Sequence, residues 1–179
     1  MRVEHIQADG EGDESSKALL LSKAKRKVLS LLLVRDRSRR ELADRLARDG
    51  YPEPVAEAAI AYAESYHYVD DLRYAVNYLR SRQEEKSRQY LKMKLSEAGV
   101  SRDVIDEAFE TVREERMEQM GDAFEEAELT ALRRAVLRKK GSGELSDQER
   151  QKLMKSLYSK GFRSVDIARV LRMDADFSI

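Results

Sequence analysis

Three times along this chain the same spacing returns: Leu42, Leu46 and Gly50, then Leu91, Leu95 and Gly99, then Leu153, Leu157 and Gly161. Each set reads L-x3-L-x3-G, and an apolar residue follows ten positions after each glycine, at Ile60, Phe109 and Leu171. Leucines four apart share one helix face, and a glycine four further on can take the left-handed conformation that ends the helix. A shared spacing of this kind means one small helical unit used repeatedly. The glycines stand 49 and then 62 residues apart, so the third unit carries extra sequence.

Capping residues fill in the rest. Ser15 or Ser16 opens a first helix from about Lys17 to Arg35. Ser38, with Glu41 three residues on, has the form of a capping box for a helix that stops at Gly50. Pro54 suits the first turn of a third helix carried by Val55, Ala58, Ala59, Tyr62 and Tyr66. Asp70, Ser87 and Ser101 cap the next three helices. The third unit starts near Phe124, is interrupted by Gly141-Ser142-Gly143, and ends with helices from about Ser146 to Lys160 and Ser164 to Arg172. No segment alternates as a strand would. The expected fold is all-α, with three tandem three-helix repeats forming an elongated, curved array. Residues 17–70, 71–115 and 116–179 make up the repeats, behind an acidic leader, 1–16, expected to be disordered.

Composition narrows the function. With 38% charged residues and no tryptophan, the chain suits an extended helical protein better than a compact α/β enzyme. There is no cysteine, which excludes disulfides and thiolate metal sites. No apolar run reaches the roughly 18 residues needed to span a bilayer, and the polar start lacks the apolar region of a signal peptide. A soluble, cytoplasmic protein is expected, with no membrane partner. Net charge is zero, yet by segment it runs −4 over 1–16, +7 over 17–50, −5 over 51–71, +4 over 72–99, −8 over 100–130 and +5 over 131–140. Sequence leading to each of the first two glycines is basic and sequence after it acidic. Such asymmetry speaks about partners, and it predicts positive and negative surfaces on opposite flanks.

The residues resemble a known family. Ser38-Arg39-Arg40-Glu41-Leu42 leading to Leu46 and Gly50 is one element of the likeness. Tyr68-Val69-Asp70-Asp71-Leu72-Arg73-Tyr74-Ala75 is similar to the junction between the first and second units of RecX, the bacterial modulator of the RecA recombinase. Leu157-Tyr158-Ser159-Lys160-Gly161-Phe162, with Ile167 and Val170 beyond, is similar to that family's closing segment. The resemblance covers about Lys17 to Arg172; the leader and the link from Gly121 to Ser146 depart from it.

The resemblance implies a monomeric regulator of DNA repair and recombination rather than an enzyme, with no cofactor. RecX-like proteins bind the RecA filament on single-stranded DNA and inhibit its ATPase, strand-exchange and co-protease activities. Weak, non-specific DNA contact would accompany this. The basic residues expected to meet such a partner are Arg37, Arg39, Arg40, Arg45, Arg80, Arg82, Lys86, Arg88, Lys92, Arg133, Arg134, Lys139 and Lys140. The rival reading is a tandem helix-turn-helix protein that binds DNA without RecA. Against it, the helix that would enter the major groove offers Glu53, Glu57 and Glu64 with no Lys or Arg, whereas DNA binders neutralise phosphates with cations.

Other features have plainer readings. Basic runs such as Lys23 to Lys27 are commonly solvated helix faces. Tyr62, Tyr66, Tyr74 and Tyr78 suit packing between units better than base stacking. Asp70 and Asp71 are better explained as a cap and a dipole partner than as a metal pair or an acid–base pair. Neither His5 nor His67 is poised for chemistry, and no phosphate-binding Gly-x-x-x-x-Gly-Lys loop or nucleophile elbow occurs.

Overall fold

A computed structural model describes residues 11–121, 126–140 and 145–176, with side chains over 14–121, 126–139 and 145–172. Among these residues the chain forms nine helices and no strand: α1 (Glu11–Leu32), α2 (Arg39–Arg48), α3 (Glu53–Ser65), α4 (Asp71–Arg82), α5 (Arg88–Glu97), α6 (Arg102–Met120), α7 (Ala127–Lys140), α8 (Asp147–Ser159) and α9 (Ser164–Asp176). The fold is an all-α helical repeat array. Two compact units divide it, Met1–Tyr74 and Ala75–Ile179.

The repeated spacing has a direct structural meaning. In each set both leucines are buried, and the second leucine's carbonyl accepts the N–H of the residue after the glycine. These bonds are Tyr51 N to Leu46 O at 3.1 Å, Val100 N to Leu95 O at 3.1 Å and Phe162 N to Leu157 O at 3.3 Å. That closure requires a left-handed residue, and Gly50, Gly99 and Gly161 sit at φ of 84°, 82° and 85°. The next helix then returns Ile60, Phe109 or Leu171 to the core, all three buried. Each fully buried leucine contributes roughly 1.5–3 kcal/mol.

In the first unit Ala24 and Val28 of α1, Leu42 and Leu46 of α2, and Ala59 and Ile60 of α3 form one core. In the second unit α7, α8 and α9 close around Leu132, Val136, Leu153, Leu157, Ile167 and Leu171. Between these in sequence, Ala75, Leu79, Leu91, Leu95, Ile105 and Val112 are buried as well.

Ser38 and Ser146 form complete capping boxes with Glu41 and Glu149, while Ser87 and Ser101 cap α5 and α6. Asp70 accepts the Arg73 N–H at 3.0 Å, as a cap should. Some boundaries differ from expectation, and residues 11–16, expected to be disordered, are helical. α1 begins at Glu11 and ends at Leu32, so Ser15 and Ser16 lie inside it rather than capping it. Residues 1–10 of the leader, Phe124 and the Gly141-Ser142-Gly143 loop lie outside the described residues. α6 continues to Met120, past residue 115, and stops at Gly121.

Candidate functional site

The basic helices of the repeats are not segregated from the acidic ones. They are ion-paired to them. In the first unit the Arg39 guanidinium of α2 donates to both carboxylate oxygens of Glu64 on α3, at 3.0 and 3.1 Å, and also contacts Glu57. Lys27 of α1 and Arg45 of α2 share Asp49, at 2.9 and 3.2 Å, and together hold its carboxyl below its usual range. Arg40 has a looser partner, Asp44 at 3.8 Å, and remains 68% exposed. Arg37 places Nε 3.5 Å from the Leu31 carbonyl, and burial followed by the nearby Arg35 charge lowers its pKa.

The second unit repeats the pattern. Arg80 of α4 grips Glu115 of α6 with two bonds, 2.9 and 2.5 Å, which pushes that carboxyl down. Lys92 of α5 does the same to Asp106 of α6 at 2.5 Å. Glu84 joins Arg116 of α6 to Arg134 of α7, the latter at 2.9 Å, and its pKa is lowered, chiefly by the Arg116 hydrogen bond. Lys139 reaches the Ser156 hydroxyl at 2.5 Å, and Arg133 is exposed. The Lys140 side chain lies outside the described residues. The expectation of opposite charged flanks is therefore corrected: cations of α2, α4 and α5 and carboxylates of α3 and α6 interleave. Charge alternates along the chain in part because neighbouring helices neutralise one another.

Three of the expected cations lie against aromatic rings. Arg82 lies 5.0 Å from the Tyr78 ring centre, Lys86 5.6 Å from Tyr90, and Arg88 4.3 Å from Phe109. Arg88 and Lys86 line a cleft of about 740 Å³ within the second unit, which also takes Arg163 and Arg169 of the last helix and its approach. Those two arginines were not among the expected partner-binding residues. Their signal was weak: Arg169 follows the apolar Ile167 by two positions, which places it off the buried face. Of the tyrosines, Tyr62, Tyr66 and Tyr68 form a ladder on the first unit, with ring centres 4.9 and 5.9 Å apart.

Helix starts carry a second shared device. The backbone N–H of Arg39, first residue of α2, donates to Asp71 at 2.8 Å. Its counterpart Arg88, first residue of α5, has Glu128 near its backbone, a carboxyl whose pKa burial raises against the opposing pull of Arg88. The Ser87 hydroxyl donates to the Lys160 carbonyl at 2.6 Å, tying α5 to the turn after α8. Asp71 is thus a link between helices as well as a dipole partner. Among the described residues no group of His, Asp or Glu is placed to hold a metal, and no helix is long and apolar enough to cross a membrane.

Three-helix modules built on capped turns define a class of helical-repeat proteins. Residues 24–62 match the first three-helix domain of RecX, and residues 70–108 match the second. The chain belongs to the RecX family. The Regulatory protein RecX of Caldanaerobacter subterraneus is 28% identical over 84% of this chain and 70% of its own length. That of Mycobacterium ulcerans is 40% identical, over 43% of this chain and 46% of its own. That of Vibrio parahaemolyticus is 29% identical over 84% of this chain and 91% of its own. A crystal structure of regulatory protein RecX superposes with a TM-score of 0.73 at 18% identity, covering 95% of this chain and 81% of that one. The RecX structure from Lactobacillus salivarius gives 0.68 at 20%, covering 87% and 97%. At these identities the two structures speak for the fold.

Proposed function

We propose that the protein binds the RecA–single-stranded DNA filament and inhibits its ATPase, strand-exchange and co-protease activities. It does so as a cytoplasmic, monomeric regulator with no catalysis of its own. Membership of a family whose curated relatives are named regulatory proteins carries this reading. The charged surface supports it in a revised form. Arg39, Arg45, Arg80 and Lys92 are engaged in ion pairs, so they serve the fold first. Arg40, Arg82, Lys86 and Arg88, whose guanidinium or ammonium groups have only a distant acid or an aromatic ring beside them, are better suited to meet a partner. The helix-turn-helix alternative gains no support, because Glu57 and Glu64 of α3 are bound to Arg39 rather than replaced by cations.

The test is RecA ATPase on single-stranded DNA with the protein titrated in, beside a DNA-binding control without RecA at several salt concentrations. Inhibition is expected well below the concentration that binds DNA alone. Should inhibition track DNA occupancy at every salt concentration, the protein is a plain DNA binder and the filament reading fails.

A further inference from the structure

The cleft of the second unit has a composition that selects its occupant. Seven cations and four carboxylates line it, a net excess of three positive charges. Some of these charges are already matched: Arg113 meets Glu126 at 3.0 Å and Arg163 meets Asp166 at 2.6 Å. Three are not. Among the described residues Lys86, Arg88 and Arg169 have no carboxylate at ion-pair distance. The Arg88 guanidinium carbon lies 4.3 Å from the Phe109 ring centre, a contact that uses none of its N–H donors, and guanidinium N–H groups suit a fork-like grip on an oxyanion.

The same lining discriminates among anions. A cleft of about 740 Å³ is several times larger than one phosphate or carboxylate needs, and falls in the range of sites that enclose an extended ligand. Single-stranded nucleic acid would seek an aromatic face for its bases. Phe109, the aromatic residue of the lining, is 8% exposed and covered by Arg88 and Lys92. Glu110, Glu126 and Asp166 stand among the cations and would repel the evenly spaced charges of a phosphate backbone. A polypeptide fits better. Its carboxylates can fall on the three uncommitted cations while its N–H groups and any cations meet the acidic positions.

We propose that the cleft lined by Lys86, Arg88 and Arg169 receives an acidic polypeptide segment of the partner protein. That the partner is the RecA filament rests on the reading above; that the segment is acidic polypeptide rests on the cleft alone.

The full-length protein is titrated against a fluorescein-labelled peptide of about twelve residues in which two clusters of Glu are separated by Ala and Lys, at low salt where charge contacts are least screened. Saturable binding is expected. It should weaken at least about tenfold in an Arg88→Gln, Arg169→Glu double variant, because charge-assisted bonds are the strong ones. It should change less than about twofold in Arg26→Glu, a charge reversal on the exposed face of α1. Thermal melts check that the variants fold. No saturable binding, equal binding by the double variant, or displacement of the peptide by an oligothymidylate of the same length at equal concentration would overturn the proposal. A parallel arm measures binding to RecA filaments. If the wild type binds filaments and the double variant binds them equally well, the cleft is not the docking site and the proposal falls while the filament reading stands. If the wild type ignores filaments yet binds the peptide through Arg88 and Arg169, the filament reading falls and the cleft assignment stands.

Discussion

Arg39 and Arg88 occupy the same place in successive repeats, 49 residues apart, each opening the middle helix behind a buried capping serine. Each has a carboxylate from further along the chain near its backbone: Asp71 accepts the Arg39 N–H, and Glu128 stands near Arg88. Their side chains have parted. Arg39 bridges Glu57 and Glu64 of the following helix, whereas Arg88 lies on Phe109 with a cleft beside it. Position 49 residues after Glu57 is Asp106, and Asp106 is taken by Lys92. In the first repeat the arginine closes a surface. In the second, a lysine one turn later does that work, and the arginine keeps its donors. A repeat thus keeps its backbone plan while its charges take different partners.

The comparison breaks most visibly at the glycines. A side chain at Gly50 meets nothing within 4 Å, but one at Gly161 would lie 3.0 Å from the Ser87 hydroxyl and 3.1 Å from Gln89 Cβ. Ser87 cannot easily yield, since it caps α5 and bonds the Lys160 carbonyl. Gly50→Ala should cost the left-handed backbone penalty alone, roughly 1–2 kcal/mol. Gly161→Ala should add an overpacking cost of about 1–3 kcal/mol. Chemical denaturation of the two variants measures both, and equal losses would mean that the second and third repeats do not abut as described.

A smaller effect separates the two arginines themselves. Replacing Arg39 with Gln leaves two glutamates facing each other, a loss near 1 kcal/mol at low salt because the groups are partly exposed. Added salt should shrink it. Arg88→Gln forfeits only the ring contact, about 0.5 kcal/mol, with little dependence on salt. A salt dependence for Arg88→Gln as strong as that for Arg39→Gln would undo the contrast.

The smallest effect concerns Glu128. Burial raises its pKa above the ordinary 4.5, so holding it ionised in the folded state is unfavourable at neutral pH. Glu128→Gln removes the buried charge while keeping the side chain's shape and should match or exceed wild-type stability at pH 7, by less than about 0.5 kcal/mol after solvent screening. The sign follows from linkage: the wild type regains stability as pH falls through its raised pKa, so the difference closes by about pH 4.5. Melts from pH 7 to 4.5 would show it, and a gap that widens on acidification contradicts the assignment.

Local order was readable because it depends on neighbours in sequence. Ser38 with Glu41, Ser87, Ser101 and the three leucine–glycine sets specify caps and turns through bonds spanning a few residues, and each formed as expected. The start of α1 was misplaced because Ser15 and Ser16 can cap a helix but are also tolerated inside one.

Sequence by itself determined an all-helical chain of repeated modules and the family it belongs to, since periodicity, caps and left-handed glycines act over short range. Only the tertiary structure decided which charges are spent on the fold. Arg39 meets Glu57 and Glu64 across 18 and 25 residues, Arg80 meets Glu115 across 35, and Glu84 meets Arg134 across 50. Coulomb attraction depends on distance in space, so two arginines alike in sequence differ in availability once the helices are packed.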